Sequence, residues 1–160
     1  MINEVLKILE EDARTTTDRI ATMTGTKSDV IVNLIKEAEG NRTILKYKTL
    51  IDWEKTGVEQ VWALIEVKVT PEPDTGFDAV AERIAYLPQV RSVFLASGNY
   101  DLLLVVIEKT EREVADFVSQ KLSHIEGVQG TVTHFVLKRY KQDGEILDRG
   151  TGEKRQPVML

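Results

Sequence analysis

The chain has 160 residues, 42% of them hydrophobic and 29% charged, with a formal net charge of -5 and no cysteine. These values suit one sizeable core or two small ones, and they exclude a disordered chain, a disulfide scaffold, a thiolate metal site and a cysteine nucleophile. The acidic balance argues against a protein that simply coats nucleic acid, while leaving room for a small basic face.

No apolar stretch reaches the roughly 18 residues of a membrane span. Glu4, Glu10 and Glu11 stand where a signal peptide needs a basic start and an apolar core, so a cytoplasmic protein without membrane contact is expected. His124 and His134 fit no metal-ligand spacing, and neither a metal nor another cofactor is expected.

Along the chain, Asn3 is placed to cap a helix over residues 4–11, whose stripe is Val5, Leu6, Ile8 and Leu9. Thr16 or Thr17 caps a short second helix that buries Ile20 and Ala21. Gly25 breaks the pattern, and Thr26 or Ser28 caps a third helix with Val30, Ile31, Leu34, Ile35 and Ala38 inward and Gly40-Asn41 as its stop. Short helices joined by a Thr-Gly turn make a helix-turn-helix arrangement, though the same stripes would serve any small helical domain. Residues 43–47 and 49–53 read as strand-like pieces that supply a wing and a linking strand. Residues 1–53 are thus a winged helix-turn-helix candidate, and 54–60 a polar linker.

Beyond the linker the period changes to two. In VWALIEVKV, Ala63, Ile65, Val67 and Val69 share one face, and Trp62, Leu64, Glu66 and Lys68 the other. Asp74 or Thr75 opens a helix running to Leu87. Val90–Ile107 follows as a hairpin about Gly98-Asn99, and Thr110 with Glu113 forms a capping box for another helix. A last strand spans 131–137. The order strand, helix, strand, strand, helix, strand over residues 61–141 predicts an α+β fold: a ferredoxin-like βαββαβ domain with a four-stranded antiparallel sheet.

Leu102–Ile107 is apolar on both faces, so both need cover. The helices cover one. A homodimer joined through its sheets covers the other, unless the N-terminal domain or the C-terminal tail does so. The tail, residues 142–160, is polar apart from Ile146-Leu147 and Val158-Met159-Leu160, and either adds an edge strand or frays.

The N-terminal stretch VLKILEEDARTTTDRIATMTGTKSDVIVNLIKEAEGNRTILKYKTLID and the C-terminal stretches LPQVRSVFLASGNYDLLLVV and IEGVQGTVTHFVL together resemble the bacterial and archaeal Lrp/AsnC family of leucine-responsive, or feast/famine, transcriptional regulators. The turn Gly98-Asn99-Tyr100-Asp101 in its strand context is the most specific part of the likeness. The resemblance implies a sequence-specific regulator that binds double-stranded DNA and whose C-terminal domains form a homodimer, assembling further to a tetramer or octamer. It also implies a small-molecule effector, usually an amino acid, held between subunits by Gly98, Tyr100 and Asp101, with Thr131 and Thr133 as further candidates. Asp101 could accept from an ammonium group, or simply cap its own backbone.

In the third helix the resemblance implies DNA contacts from Lys27, Ser28, Asn33 and Lys36, followed by Arg42 and Lys46 in the wing. Two departures stand out here. Family members often carry an arginine near Asn33, and a glycine directly before the first wing strand. Residues 1–60 also hold nine Lys or Arg against eleven Asp or Glu, which predicts weak, salt-limited DNA binding. The alternative is a ligand-binding or scaffolding member whose helical domain no longer reads DNA. An enzyme is not expected, because no carboxylate pair or histidine is placed for acid-base work.

Overall fold

A computed structural model of the chain describes residues 1–147. The chain divides into two compact units, Met1–Ile51 and Asp52–Leu160. Among the described residues, no helix is long and apolar enough to cross a membrane.

The first unit holds α1 (Ile2–Glu11), α2 (Thr17–Thr24) and α3 (Ser28–Gly40). Val5 and Leu9 of α1, Ile20 and Ala21 of α2 and Ile31 of α3 form its core, with Leu34, Ile35 and Ile44 packed against it. Thr16 caps α2, its Oγ1 accepting from the Arg19 N–H at 3.3 Å. Gly25 ends α2 at φ 65, the left-handed region open to glycine, which sets the tight turn into α3.

Both other caps read from sequence are corrected. Helix α1 starts before Asn3, because the Met1 carbonyl already accepts from Glu4 and Val5 N–H. Helix α3 has Lys27 at its N-cap with no side-chain bond. Ser28 instead donates its hydroxyl to Asp18 Oδ1 at 2.6 Å, tying α3 to α2.

The expected wing strands are absent from residues 43–52. The first two backbone donors there are taken locally: the Asn41 side chain accepts from the Thr43 N–H at 3.0 Å, and the Ala38 carbonyl from the Ile44 N–H at 2.9 Å. Only Lys48 separates the two strand-like pieces, too little for a two-residue hairpin turn, and an isolated hairpin is marginal in water. Residues 53–56 form a 3-10 turn instead.

In the second unit, β1 (Val61–Val69), α4 (Asp78–Ala85), β2 (Val90–Leu95), β3 (Leu102–Glu108), α5 (Glu111–Gln120) and β4 (Val128–Phe135) follow in order. The antiparallel sheet runs β2-β3-β1-β4, as the ferredoxin-like reading anticipates. Ala63, Ile65, Val67, Leu102, Leu104 and Val106 turn inward to Val80 and Ile84 of α4 and to Val114 and Phe117 of α5. Burying each such side chain contributes about 1.5–3 kcal/mol, and truncating Ile65 to Ala would cost about 2–5 kcal/mol. The capping box of α5 is present, Thr110 and Glu113 bonding reciprocally.

Helix α4 begins later than Asp74 or Thr75. Those residues lie in a loop closed by mutual Glu72–Gly76 backbone bonds of 2.8 Å. Strand β4 starts at Val128 rather than Thr131, because a bulge between Lys68 and Val69 lets pairing continue to Val128. It ends at Phe135, leaving Leu137 97% exposed. Lys141–Gln142 and Glu145–Ile146, here β5 and β6, pair with each other in a separate two-stranded sheet. Val158-Met159-Leu160 lie outside the described residues.

Candidate functional site

Two groups of residues come together, one in each unit. In the first, the outer side of α3 exposes Asp29, Asn33, Lys36 and Glu37. The helix period puts Asp29, Asn33 and Lys36 on one stripe, while Ile31 and Ala38 anchor the opposite side. Lys27, just before the helix, is exposed, whereas Ser28 is half-buried and engaged with Asp18. Ser28 is therefore a positioning residue for α3 before it is a contact.

Arg42 and Lys46 are exposed in the segment after α3, Arg42 with a positive φ of 62. Tyr47 donates its hydroxyl to Glu39 Oε1 at 2.8 Å, pinning this segment to the end of α3. Partial burial, and then the Glu39 carboxylate, push the Tyr47 phenol above its ordinary value. Among the described residues, Lys27, Lys36, Arg42 and Lys46 enter no ion pair, so their charges remain available to an external phosphate. Residues 1–51 hold eight Lys or Arg and eight Asp or Glu, a neutral unit in which positive charge is local to these side chains.

The second group lies at one end of the sheet. Gly98, Tyr100 and Asp101 occupy the turn from β2 to β3, with Gly98 at φ 140, a backbone position suited to glycine. The Asp101 carbonyl accepts from the Ala96 N–H at 2.9 Å, and its N–H donates to the Val67 carbonyl at 3.1 Å. Its carboxylate crosses to β1, where Oδ2 accepts from the Val69 N–H at 2.8 Å. Pairing of β1 with β3 ends at Val67 and Leu102, which leaves the next β3-side donor, the Val69 N–H, to the Asp101 carboxylate and locks the turn to β1.

Val67 pairs with Leu102 on one side and Thr131 on the other. Two strand spacings put Thr131 roughly 10 Å from the start of β3. Thr133 sits one pleat further along, level with Ile65. Both threonines share the helix-side face of β4 with Phe135, not the face on which Lys68 stands. The structure thus gathers Gly98, Tyr100 and Asp101 at one corner, with Thr131 level with them across β1 and Thr133 displaced toward the sheet centre.

Lys68 was missed by the sequence reading. Its Nζ lies 3.4 Å from each Asp101 carboxylate oxygen. The period of two placed it on the outer face, but only the sheet register puts it beside Asp101. A cavity of about 250 Å³ between α4 and β2 is lined by Asp78, Ala81, Glu82, Ala85, Val93 and Leu95. Two carboxylates and no cation make that lining a poor receptor for an anionic group. Among the described residues, no group of three or more His, Cys, Asp or Glu side chains could hold a metal ion.

The outer face of the sheet is apolar across its strands. Register places Phe94, Leu103, Glu66 and Val132 in one row and Ser92, Val105, Leu64 and His134 in the next, with Ile107 and Trp62 beyond. Phe94 and Val132 are each 53% exposed. Within these rows His134 pairs with Glu66, Nε2 to Oε1 at 3.1 Å.

Residues 62–146 match the family model described as the Lrp/AsnC ligand binding domain. The chain is 44% identical over 153 residues to the uncharacterized HTH-type transcriptional regulator YugG of Bacillus subtilis, covering 95% of this chain and 92% of that protein. It is 30% identical to the HTH-type transcriptional regulator LrpA of Pyrococcus abyssi, over 86% of this chain and 94% of that one. Among solved structures, AsnC of E. coli superposes with a TM-score of 0.68 at 18% identity, covering 88% of this chain and 93% of that one. A transcriptional regulator of Neisseria meningitidis, crystallised as a complex with L-Met, superposes with a TM-score of 0.70 at 24% identity, covering 88% and 90%.

Proposed function

The chain belongs to the Lrp/AsnC family of transcriptional regulators, and from that premise we propose that it controls transcription in the cytoplasm by binding double-stranded DNA through α3 and sensing a small metabolite through its C-terminal unit. The relatives are transcriptional regulators, not enzymes, and the function follows theirs. The observation that carries the DNA assignment is the exposed stripe of α3, where Asn33 and Lys36 face outward from a helix pinned by Ser28 to Asp18.

In this reading Asn33 pairs with a base edge, as asparagine does with adenine. Lys27, Lys36, Arg42 and Lys46 hold phosphates, and Ser28 orients the helix. The effector is an amino acid, the class of the L-Met found in the Neisseria complex. It sits at the corner made by Gly98, Tyr100 and Asp101, with Thr131 and Thr133 completing the wall. The apolar outer face is closed by a second copy of the chain, and dimers associate into a tetramer or octamer. Several reading heads in one assembly raise the effective concentration of each on DNA, offsetting the neutral charge of a single head.

That neutral charge, eight cations against eight anions in residues 1–51, favours a second reading. In it the protein is an oligomeric ligand-binding scaffold with little affinity for DNA. Electrophoretic mobility shift at low salt, using the region upstream of the protein's own gene and a panel of amino acids, separates the two. The regulator reading expects a shifted band whose midpoint moves with one of the amino acids. An unshifted fragment at every protein concentration favours the scaffold.

A further inference from the structure

Resting on the DNA-binding reading above, we propose that Asp29 is a second base-reading residue of α3, one that selects a cytosine about two base pairs from the adenine met by Asn33.

Asp29 stands in the first turn of α3, exposed, four residues before Asn33 and on the same stripe. In a helix-turn-helix the N-terminal residues of the recognition helix are the ones that meet base edges. The start of α3 is held in place for that task, by the tight turn at Gly25 and by the Ser28 hydroxyl on Asp18 at 2.6 Å.

An anion on a surface that approaches phosphates costs affinity unless something there donates to it. Among the described residues Asp29 enters no ion pair, although Lys27 and Lys36 belong to the same helix end and stripe. Its side chain accepts from the Val30 N–H, at Oδ1 and 3.0 Å. That bond orients the carboxylate and leaves Oδ2 open. The helix dipole favours an acid in the first turn, but it does so on any face of the helix. It gives no reason for the charge to stand in line with Asn33.

The base edges narrow what the open oxygen can meet. In the major groove guanine shows the acceptors N7 and O6, and thymine the acceptor O4 with its methyl group. Cytosine shows the N4 amino donor, and adenine a donor beside an acceptor. An ionised carboxylate only accepts, so guanine and thymine repel it, adenine suits it in part and cytosine matches it. A wrong base leaves the carboxylate desolvated without a donor, which costs more than the right bond gains.

Asn33 carries both donor and acceptor and matches adenine. Four residues of helix advance about 6 Å, against about 3.4 Å per base pair, which sets the two read positions about two base pairs apart. Part of the neutral charge of residues 1–51 then serves discrimination: Asp29 lowers the attraction for every duplex and restores it only where cytosine stands opposite.

The test is selection by the full-length chain, at low salt, from a pool of duplexes randomised over their central positions. Wild type should enrich an adenine and, about two base pairs away, a cytosine. Asn33→Ala should lose the first preference and keep the second. Asp29→Asn should keep the first and turn the second from cytosine to adenine, because an amide donates as well as accepts. On single duplexes, thymine in place of that cytosine should weaken wild-type binding roughly tenfold and Asp29→Ala binding by less than about twofold. Thermal melts establish that the variants fold. A residue that only supports the helix would change affinity for all duplexes alike and leave the selected base as it was. Folded Asp29→Asn and Asp29→Ala chains that still enrich the wild-type sequence would therefore overturn the role of Asp29 while leaving DNA reading by α3 intact. If wild type enriches no sequence, the DNA-binding reading itself fails, and the role of Asp29 falls with it.

Discussion

The guanidinium of Arg139 lies 4.6 Å from the ring centroid of Trp62. The same group donates from Nη1 to Gln142 Oε1 at 2.8 Å and from Nη2 to Glu54 Oε1 at 3.1 Å, and its side chain is only 10% exposed. One side chain therefore joins the 3-10 turn at the start of the second unit, strand β1 and strand β5.

Replacing Arg139 with Ala removes the stack and the hydrogen bonds together, and should destabilise the second unit by about 1–2 kcal/mol. Arg139→Lys should recover only part, because an ammonium lacks the planar fork. Trp53 and Trp62 are the two tryptophans of the chain, and both lie in this unit, so their fluorescence in urea follows its unfolding alone. The midpoint should fall with the slope unchanged.

Gly127→Ala should be more damaging. Gly127 has φ 95, and an added Cβ would lie 2.7 Å from Cγ2 of Val80, a fully buried core side chain. Backbone strain and overpacking combine to an expected loss of about 2–4 kcal/mol. Gly98→Ala, with nothing within 4 Å of its added Cβ, meets the strain alone and should lose less. Urea midpoints of the two variants measured side by side check the order.

Acid should weaken the loop after β1. Arg83 Nη2 lies 2.6 Å from Glu72 Oε1 and also donates to the Glu126 carbonyl at 3.1 Å. The Arg83 guanidinium holds the Glu72 carboxyl below its ordinary 4.5. A carboxylate favoured in the fold contributes stability that is present above the unfolded value and is lost as pH falls through the lowered folded value. The difference in melting temperature between wild type and Glu72→Gln should be constant near neutrality and shrink below about pH 4.5. Melting curves from pH 7 to pH 3 measure it.

Much of this architecture is legible in the sequence, and its failures have local causes. The period of two in β1 correctly separates Ala63, Ile65, Val67 and Val69 from Trp62, Leu64, Glu66 and Lys68. The capping box at Thr110 and Glu113 names the start of α5 to the residue. The wing failed because β-rich composition at Thr43–Trp53 says nothing about where the donors go, and those of Thr43 and Ile44 go back to Asn41, just past α3, and to Ala38 within it. Asn3 and Ser28 failed as caps because a capping residue is recognised by type, and competing partners, the Met1 carbonyl and Asp18, are invisible to type. Lys68 escaped notice for a related reason. It stands 33 positions from Asp101 in the chain, and only the β1–β3 pairing closes that gap.

The apolar sheet face yields a prediction about assembly. Leu103 and Val105 face outward from the central strand β3, beside Phe94 and Leu64. A carboxylate there would be desolvated by any covering copy, at a penalty of several kcal/mol, and harmless in an isolated chain. Leu103→Asp and Val105→Asp should each shift the sedimentation profile from oligomer to folded monomer. A wild-type chain that is itself monomeric at tens of micromolar would refute a sheet-to-sheet dimer.

The central claim is that α3 reads DNA, and the salt dependence of binding tests it most directly. Fluorescence anisotropy of a labelled duplex from the protein's own upstream region should give a linear fall of log affinity with log salt. Lys36→Gln should reduce the slope by about 1 and weaken all duplexes alike. Asn33→Ala should cost about 1–3 kcal/mol on the preferred duplex and little on unrelated ones. Wild-type affinity that is absent at low salt, or that both substitutions leave unchanged, would contradict the account.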